Sequence, residues 1–105
     1  MNKKTLLALR KALAEAKRKP QTASDLEALA RACGRRSRAG GNHPIWISDR
    51  FPSHRPLPIG RHGGNPVVPP HAKKVILNGL EEDLEAWVEQ VESGAGNDGG
   101  FDDDG

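Results

Sequence analysis

The sequence predicts an α+β domain in which helices flank a three-stranded antiparallel meander. Leucine and alanine recur at helical spacing before residue 34, and a second long apolar stripe follows residue 70. Between them lie short runs of β-branched and aromatic residues, separated by glycine- and proline-rich turns. We therefore expect the order helix, helix, three strands, helix, with one sheet face packed on the helices and the other face open.

Two helices are predicted in the N-terminal third. The first carries the stripe Leu6, Leu9, Leu13 and Ala16, can be capped by Asn2 or Thr5, and is ended by Pro20. The second spans about residues 23–33. Capping boxes are possible at Thr22-x-x-Asp25 and at Ser24-x-x-Glu27, and Gly34 is a natural C′ residue.

Three strands are predicted at residues 35–38, 43–49 and 55–60. Ile45, Trp46 and Ile47 make the middle segment the best strand former. Pro56 and Pro58 lie two residues apart, so their missing N–H groups belong to the same edge. The third strand can therefore pair fully on one side only, which places it at the outside of the sheet.

A last helix is predicted over residues 71–92, after Pro69-Pro70. Its apolar stripe is Ile76, Leu80, Leu84, Trp87, Val88 and Val91. Asn78-Gly79 weakens the middle, so the helix is expected to kink there or to restart at Asn78. If the helix restarts there, Glu81, Glu82, Asp83 and Glu85 would lie near the start of the separate helix.

The 105 residues are enough for one domain, which we divide into an extra helix at 1–20, an α-β-β-β-α domain at 21–92 and an acidic glycine-rich tail at 93–105. Residues 1–62 hold 14 Lys/Arg against 4 Asp/Glu, whereas residues 63–105 hold 2 against 10. The basic half favours a polyanion partner, although a solvated basic surface is the simpler alternative. The acidic end is either a solubility tail or a segment that covers the basic face.

Several classes are disfavoured. No apolar run approaches the roughly 18 residues of a membrane span, so no membrane partner is expected and cytoplasm is the default location. Cys33 is alone and lies on an apolar stripe, which predicts core packing and excludes a cysteine-built zinc site. The spacing of the four histidines matches no metal-ligand pattern, so we expect neither metal nor cofactor.

Histidines and arginines point to metal-independent cleavage of RNA. Such a reaction needs a base for the 2′-hydroxyl, an acid for the leaving oxygen, and cations on the phosphorane. His43 follows the turn Gly40-Gly41-Asn42, and Arg38, Arg61 and His62 could meet it at the same rim of the sheet. The alternative is a histidine hydrogen-bonded at the core edge, because His43 shares strand parity with Ile45 and Ile47. His54 and His71 are interpreted as a turn residue and a helix-start residue.

The series of motifs resembles the HicA toxins of type II toxin–antitoxin systems. It consists of a helix ending at Gly34, the arginine-rich segment 35–38, Gly41-Asn42-His43 with Trp46 three residues on, and a strand that runs into residues 58–62. The resemblance covers about residues 23–85. It implies a double-stranded-RNA-binding-like fold, with Asn42 standing where the family has serine.

The resemblance also implies a function. His43 would be the catalytic residue of a ribonuclease that cleaves mRNA, with His62 as acid or phosphate-binding donor, and a HicB-like antitoxin would cover the site. The residues expected to bind RNA are Arg35, Arg36, Arg38, Asn42, Trp46 and Arg61. Two other classes stay open: a non-catalytic RNA- or DNA-binding module, and a regulatory protein whose open sheet edge docks a partner.

Overall fold

The computed structural model describes residues 1–38, 44–60 and 64–94. Its elements are α1 (Lys3–Ala16), α2 (Ala23–Ala32), β1 (Arg35–Arg38), β2 (Ile45–Ser48), β3 (Leu57–Pro58) and α3 (Pro70–Ser93). The predicted α+β class, with helices flanking three antiparallel strands, is confirmed. None of the helices in these ranges is both long enough and apolar enough to span a membrane.

Local capping signals set the starts of α1 and α2. The Asn2 side chain accepts a hydrogen bond from the Thr5 backbone N–H at 2.9 Å. At α2, Thr22 and Asp25 form the complete capping box, each side chain accepting a bond from the other's backbone N–H. Gly34 follows α2 with φ of 94°, the left-handed conformation expected of a C′ glycine.

The sheet has the order β1-β2-β3, with both pairs antiparallel. β3 is therefore an edge strand, as Pro56 and Pro58 predict. β2 and β3 are shorter than expected, because regular pairing is confined to Ile45–Ser48 and Leu57–Pro58. After the sheet, Val67 pairs with Thr22 at the start of α2.

The register assigns each strand residue to one of two sheet faces. Cross-strand partners share a face, so Trp46 lies with Ser37 and Leu57 on the side of the helices. The opposite side, which we call the open face, consists of Arg36, Arg38, Ile45, Ile47 and Pro58. The side chain of Trp46 is buried in the hydrophobic core.

Helix α1 packs on α3 and belongs to the core, because Leu6 and Leu13 are fully buried. Opposite charges join the two helices near both ends of α1. Lys3 Nζ lies 2.6 Å from Glu92 Oε2, and Lys17 Nζ lies 2.8 Å from Glu81 Oε1. Lys73 on α3 also donates to the carbonyl oxygens of residues 17 and 19, beyond the end of α1. Part of the basic N-terminal half therefore faces the acidic C-terminal half of the same chain.

Helix α3 is continuous from Pro70 to Ser93, so the expected restart at Asn78 is wrong. Gly79 has a packing role instead. A Cβ built at this position would come within 2.6 Å of Leu57 Cδ2, and Leu57 is fully buried. The glycine therefore allows β3 to approach the helix closely.

We predict that Gly79→Ala destabilises the protein, although alanine is the better helix former by about 1 kcal/mol. The new methyl group would press on Leu57, and overpacking a closed core costs about 1–3 kcal/mol. The net result should be a lower midpoint of unfolding in urea. Asn78→Ala is the matched control, because it raises helix propensity without adding atoms against β3. Equal stabilisation by both substitutions would contradict the close-packing role of Gly79.

Candidate nucleic-acid interface

One end of the sheet brings together the described residues that adjoin the predicted site segments in the sequence. Arg38, Ile45 and Pro58 form the last row of paired residues across the three strands. Just beyond this row the Ile59 backbone N–H donates to the Pro44 carbonyl at 3.3 Å. The described residues next to segments 39–43 and 61–63 in the sequence lie at this end, which we call the rim. Asn42, His43, Arg61 and His62 themselves lie outside the described residues.

The structure removes one argument against a catalytic His43. That argument required Ile45 and Ile47 to face the core, because His43 has their strand parity. Instead Ile45 is exposed and Ile47 half-buried, while Trp46 and Ser48 are buried. Ile45 and Ile47 therefore do not face the core, and the argument loses its premise.

The open face carries two of the predicted RNA-binding arginines, Arg36 and Arg38. Arg36 makes a bidentate contact with Asp49, from Nε to Oδ2 at 2.6 Å and from Nη2 to Oδ1 at 3.2 Å. The hydrogen bond from Arg36 is the main reason that the pKa of Asp49 lies below its ordinary value. Both side chains remain largely exposed, so water and salt weaken this pair. Arg38 is exposed, and within the described ranges it forms no ion pair.

Arg35 does not join them, and its prediction as an RNA-binding residue is corrected. Its side chain is only 1% exposed and is held by a bidentate ion pair with Asp83 of α3, at 2.6 Å from Nε to Oδ2 and 2.9 Å from Nη2 to Oδ1. Nη1 donates to the carbonyl oxygens of Trp46 and Arg55. With its donors engaged inside the protein, this guanidinium is not available to a phosphate.

His54, which is half-buried, completes the cluster. Its Nδ1 lies 2.8 Å from Asp83 Oδ1, and its ring stacks on Phe51 with centroids 4.9 Å apart. Because a carboxylate accepts, Nδ1 carries the proton, and Nε2 is an acceptor when the ring is neutral. His54 lies in the β2–β3 connection, as expected, and therefore at the opposite end of β2 from the rim. We call the set Arg35, His54 and Asp83 the clamp.

Sequence reasoning missed the clamp, although one signal for it was present. Asp83 falls in phase with the apolar stripe of α3, three residues after Leu80 and four before Trp87. Such a position is buried in an amphipathic helix, and a buried carboxylate requires a partner. The run of acidic neighbours at residues 81–85 concealed this exception.

Trp46 is also corrected as an RNA-binding residue, since its side chain is 2% exposed. The guanidinium carbon of Arg31, on α2, lies 5.0 Å from its ring centroid. A second such contact places Arg50 at 4.4 Å from the ring centroid of Trp87. Both tryptophans thus stack with arginines of the same chain.

Cys33 is packed in the core, as predicted. Burial raises the pKa of its thiol to about 12, and the nearby carboxylate of Asp83 adds to this shift. The thiol is therefore protonated near neutral pH and is no nucleophile. In the described part of the chain, no three His, Cys, Asp or Glu side chains come together as a metal site would require.

We predict that Arg35→Met and Asp83→Asn each lower the free energy of unfolding by about 3–5 kcal/mol, because each leaves a buried charge without its ionic partner. Since the two residues form one unit, the double variant should lose much less than the sum of the single losses. Urea unfolding of all three variants measures this coupling.

Arg36→Met is the matched control for the clamp prediction. It removes an arginine of the same strand from an exposed pair, and the midpoint of unfolding should move little. Additive losses at Arg35 and Asp83, or an equal effect at Arg36, would contradict the clamp.

No model of a known protein family matches this sequence, and no curated protein or solved structure matches it either.

Proposed function

We propose that the chain is an RNA-binding protein of the HicA type, a metal-independent ribonuclease that acts on mRNA. The proposal depends on one observation above all: the exposed arginines of the open face lie beside the rim, and the segments that carry His43 and His62 adjoin the rim residues in the sequence. The order α2-β1-β2-β3-α3 also agrees with the α-β-β-β-α order that the resemblance implies.

In this proposal the roles divide between cations and imidazoles. Arg36 and Arg38 attract the phosphate backbone, which supplies affinity without sequence preference. His43 takes the proton of the attacking 2′-hydroxyl, and His62 is the acid or phosphate donor. Asn42 and Arg61 contribute further RNA contacts. The reaction requires no cofactor.

The remaining parts of the proposal concern the partner and the location. A HicB-like antitoxin protein would neutralise the toxin by covering the rim. The protein would act in the cytoplasm, where its mRNA substrate is found.

A non-catalytic RNA- or DNA-binding module is the second candidate. It is favoured by the geometry of the open face itself, because two exposed arginines on a sheet can hold phosphates without any histidine. Cleavage assays separate this candidate from the first.

We expect the wild-type protein to arrest growth and deplete mRNA when it is overproduced, and His43→Ala to do neither. Loss of the general base should lower the rate of cleavage of a synthetic RNA by about 10²–10⁴-fold. His71→Ala is the matched control: His71 is an exposed histidine at the start of α3, and its removal should leave cleavage unchanged.

Three outcomes of this experiment are distinct. Cleavage that survives in His43→Ala would contradict the catalytic role of that residue. Equal RNA binding by both proteins without cleavage by either would favour the binding module. Absence of RNA binding by the wild type would contradict both candidates and favour a protein-docking role.

We predict that the double variant Arg36→Gln/Arg38→Gln binds single-stranded RNA more weakly and with a smaller dependence on salt. Each lost phosphate contact should reduce the slope of log affinity against log salt by about 0.7. Titration of a labelled RNA at several salt concentrations measures both quantities.

Lys4→Gln/Lys11→Gln provides a control with the same change in net charge. Both lysines are exposed on α1 and are not part of the sheet. An equal loss of affinity in this variant would mean that RNA responds to net charge alone, and the open face would lose its special role.

A further inference from the structure

The two edges of the sheet differ in their ability to accept another strand. At the β3 edge, the outward positions 56 and 58 are prolines, which have no N–H group to donate. An incoming strand would find no donor at either position. This edge is therefore blocked against strand addition.

Among the described residues, no strand pairs with the outer edge of β1. The Ile59 backbone N–H donates to the Pro44 carbonyl, so the backbone groups of residue 44 point toward β3. Because the backbone groups of successive residues point to opposite sides of a strand, those of residues 45 and 47 point toward β1. Ile45 and Ile47 thus bond toward β1, where they meet Arg38 and Arg36. The backbone groups of Ser37 then point away from the sheet.

No backbone hydrogen bond outside the β1–β2 ladder involves Ser37 within the described ranges, and the residue is exposed. Residues 36–38 are all exposed. An N–H donor and a C=O acceptor thus stand free at the middle of this edge, which is the requirement for pairing with an extended polypeptide.

The side chains beside this edge define the chemistry of its occupant. Arg36 and Arg38 flank Ser37, and both project on the open face. A second copy of this chain is a poor occupant, because antiparallel pairing centred on Ser37 would set Arg36 of one copy opposite Arg38 of the other. Like charges directly opposite each other destabilise a sheet, and opposite charges stabilise it.

We propose that the β1 edge binds an extended segment of a partner protein as a fourth strand, with acidic residues at alternate positions opposite Arg36 and Arg38. Backbone bonds to Ser37 supply the pairing, and the two arginines select the charge. Arg36 exchanges its exposed carboxylate partner, Asp49, for a carboxylate of the incoming strand. This inference does not depend on the proposed nuclease activity.

The test uses a synthetic blocked hexapeptide of alternating Glu and Val as the probe, with the Lys–Val peptide as the charge control. Backbone amide shifts of isotope-labelled protein should change at residues 35–38 on addition of the acidic peptide and not on addition of the basic one. Ser37→Pro removes the outward N–H but no bond to β2, and should weaken binding at least tenfold. Ser37→Ala keeps the N–H and should bind within twofold of the wild type.

A peptide N-methylated at alternate amides gives a second measurement on the wild-type protein, should Ser37→Pro fail to fold. Two such peptides are made, methylated at the odd-numbered or at the even-numbered amides. Because only one set of amides can face β1, one peptide should lose binding and the other should bind nearly as well as the unmodified peptide. Equal binding by Ser37→Pro and Ser37→Ala, or by both methylated peptides, would show attraction by charge alone and overturn the proposal. Equal binding of the basic peptide, or no binding of the acidic one, would overturn it as well.

The outcome is separable from that of the proposed function. Ser37→Pro retains Arg36 and Arg38, so it should bind single-stranded RNA as the wild type does. Loss of peptide binding with RNA binding intact supports strand addition. Loss of RNA binding in the folded Ser37→Pro variant would contradict the proposal that the Ser37 backbone binds the peptide while the arginine side chains bind RNA.

Discussion

The buried ion pair between Arg35 and Asp83 determines how the sheet is mounted on the helices. It joins β1 to α3 with two hydrogen bonds, and Nη1 of the same guanidinium holds the carbonyls of Trp46 and Arg55. Because Arg35 must point toward α3, the next residue of the strand must point away. The clamp therefore places Arg36 on the open face, and the alternation of the strand then does the same for Arg38.

The uneven distribution of charge along the chain is resolved in part within the fold. The basic helix α1 lies against the acidic helix α3, and ion pairs connect them near both ends of α1. The strong basicity of the N-terminal half is thus no direct measure of a surface for polyanions. What the sheet offers an outside partner is more local: a short arginine-bearing strand beside a rim, far along the sequence from the acidic residues that pair with Lys3 and Lys17.

Features determined by near neighbours in sequence were predictable. The capping box of Thr22, the end of α2 at Gly34 and the outer position of β3 each follow from a few adjacent residues. The orientation of β2 was not predictable in this way. Because Ile45, Trp46 and Ile47 are all apolar, either face of β2 could pack on the core. The choice depends on Arg35 in the neighbouring strand, which contacts α3 through Asp83.

The same limit applied to the site. The sequence alone does not distinguish the three arginines of β1. Only the contact with Asp83, 48 residues from Arg35, separates this structural arginine from the exposed Arg36 and Arg38. Helix periodicity held the necessary signal, because a carboxylate in the middle of an apolar stripe requires a buried cation. The rim residues Asn42, His43, Arg61 and His62 stay predictions, outside the described ranges.

Strand β1 presents two kinds of chemistry because a strand directs its side chains and its backbone groups at right angles. The guanidinium groups of Arg36 and Arg38 project from the open face, where phosphates would meet them, while the backbone of Ser37 faces along the sheet, where a polypeptide would pair. An acidic strand on this edge would nevertheless neutralise both guanidinium groups, and the attraction for RNA depends on their charge. A protein partner could thus weaken RNA binding without covering the rim at all, provided that it carried carboxylates in the right register.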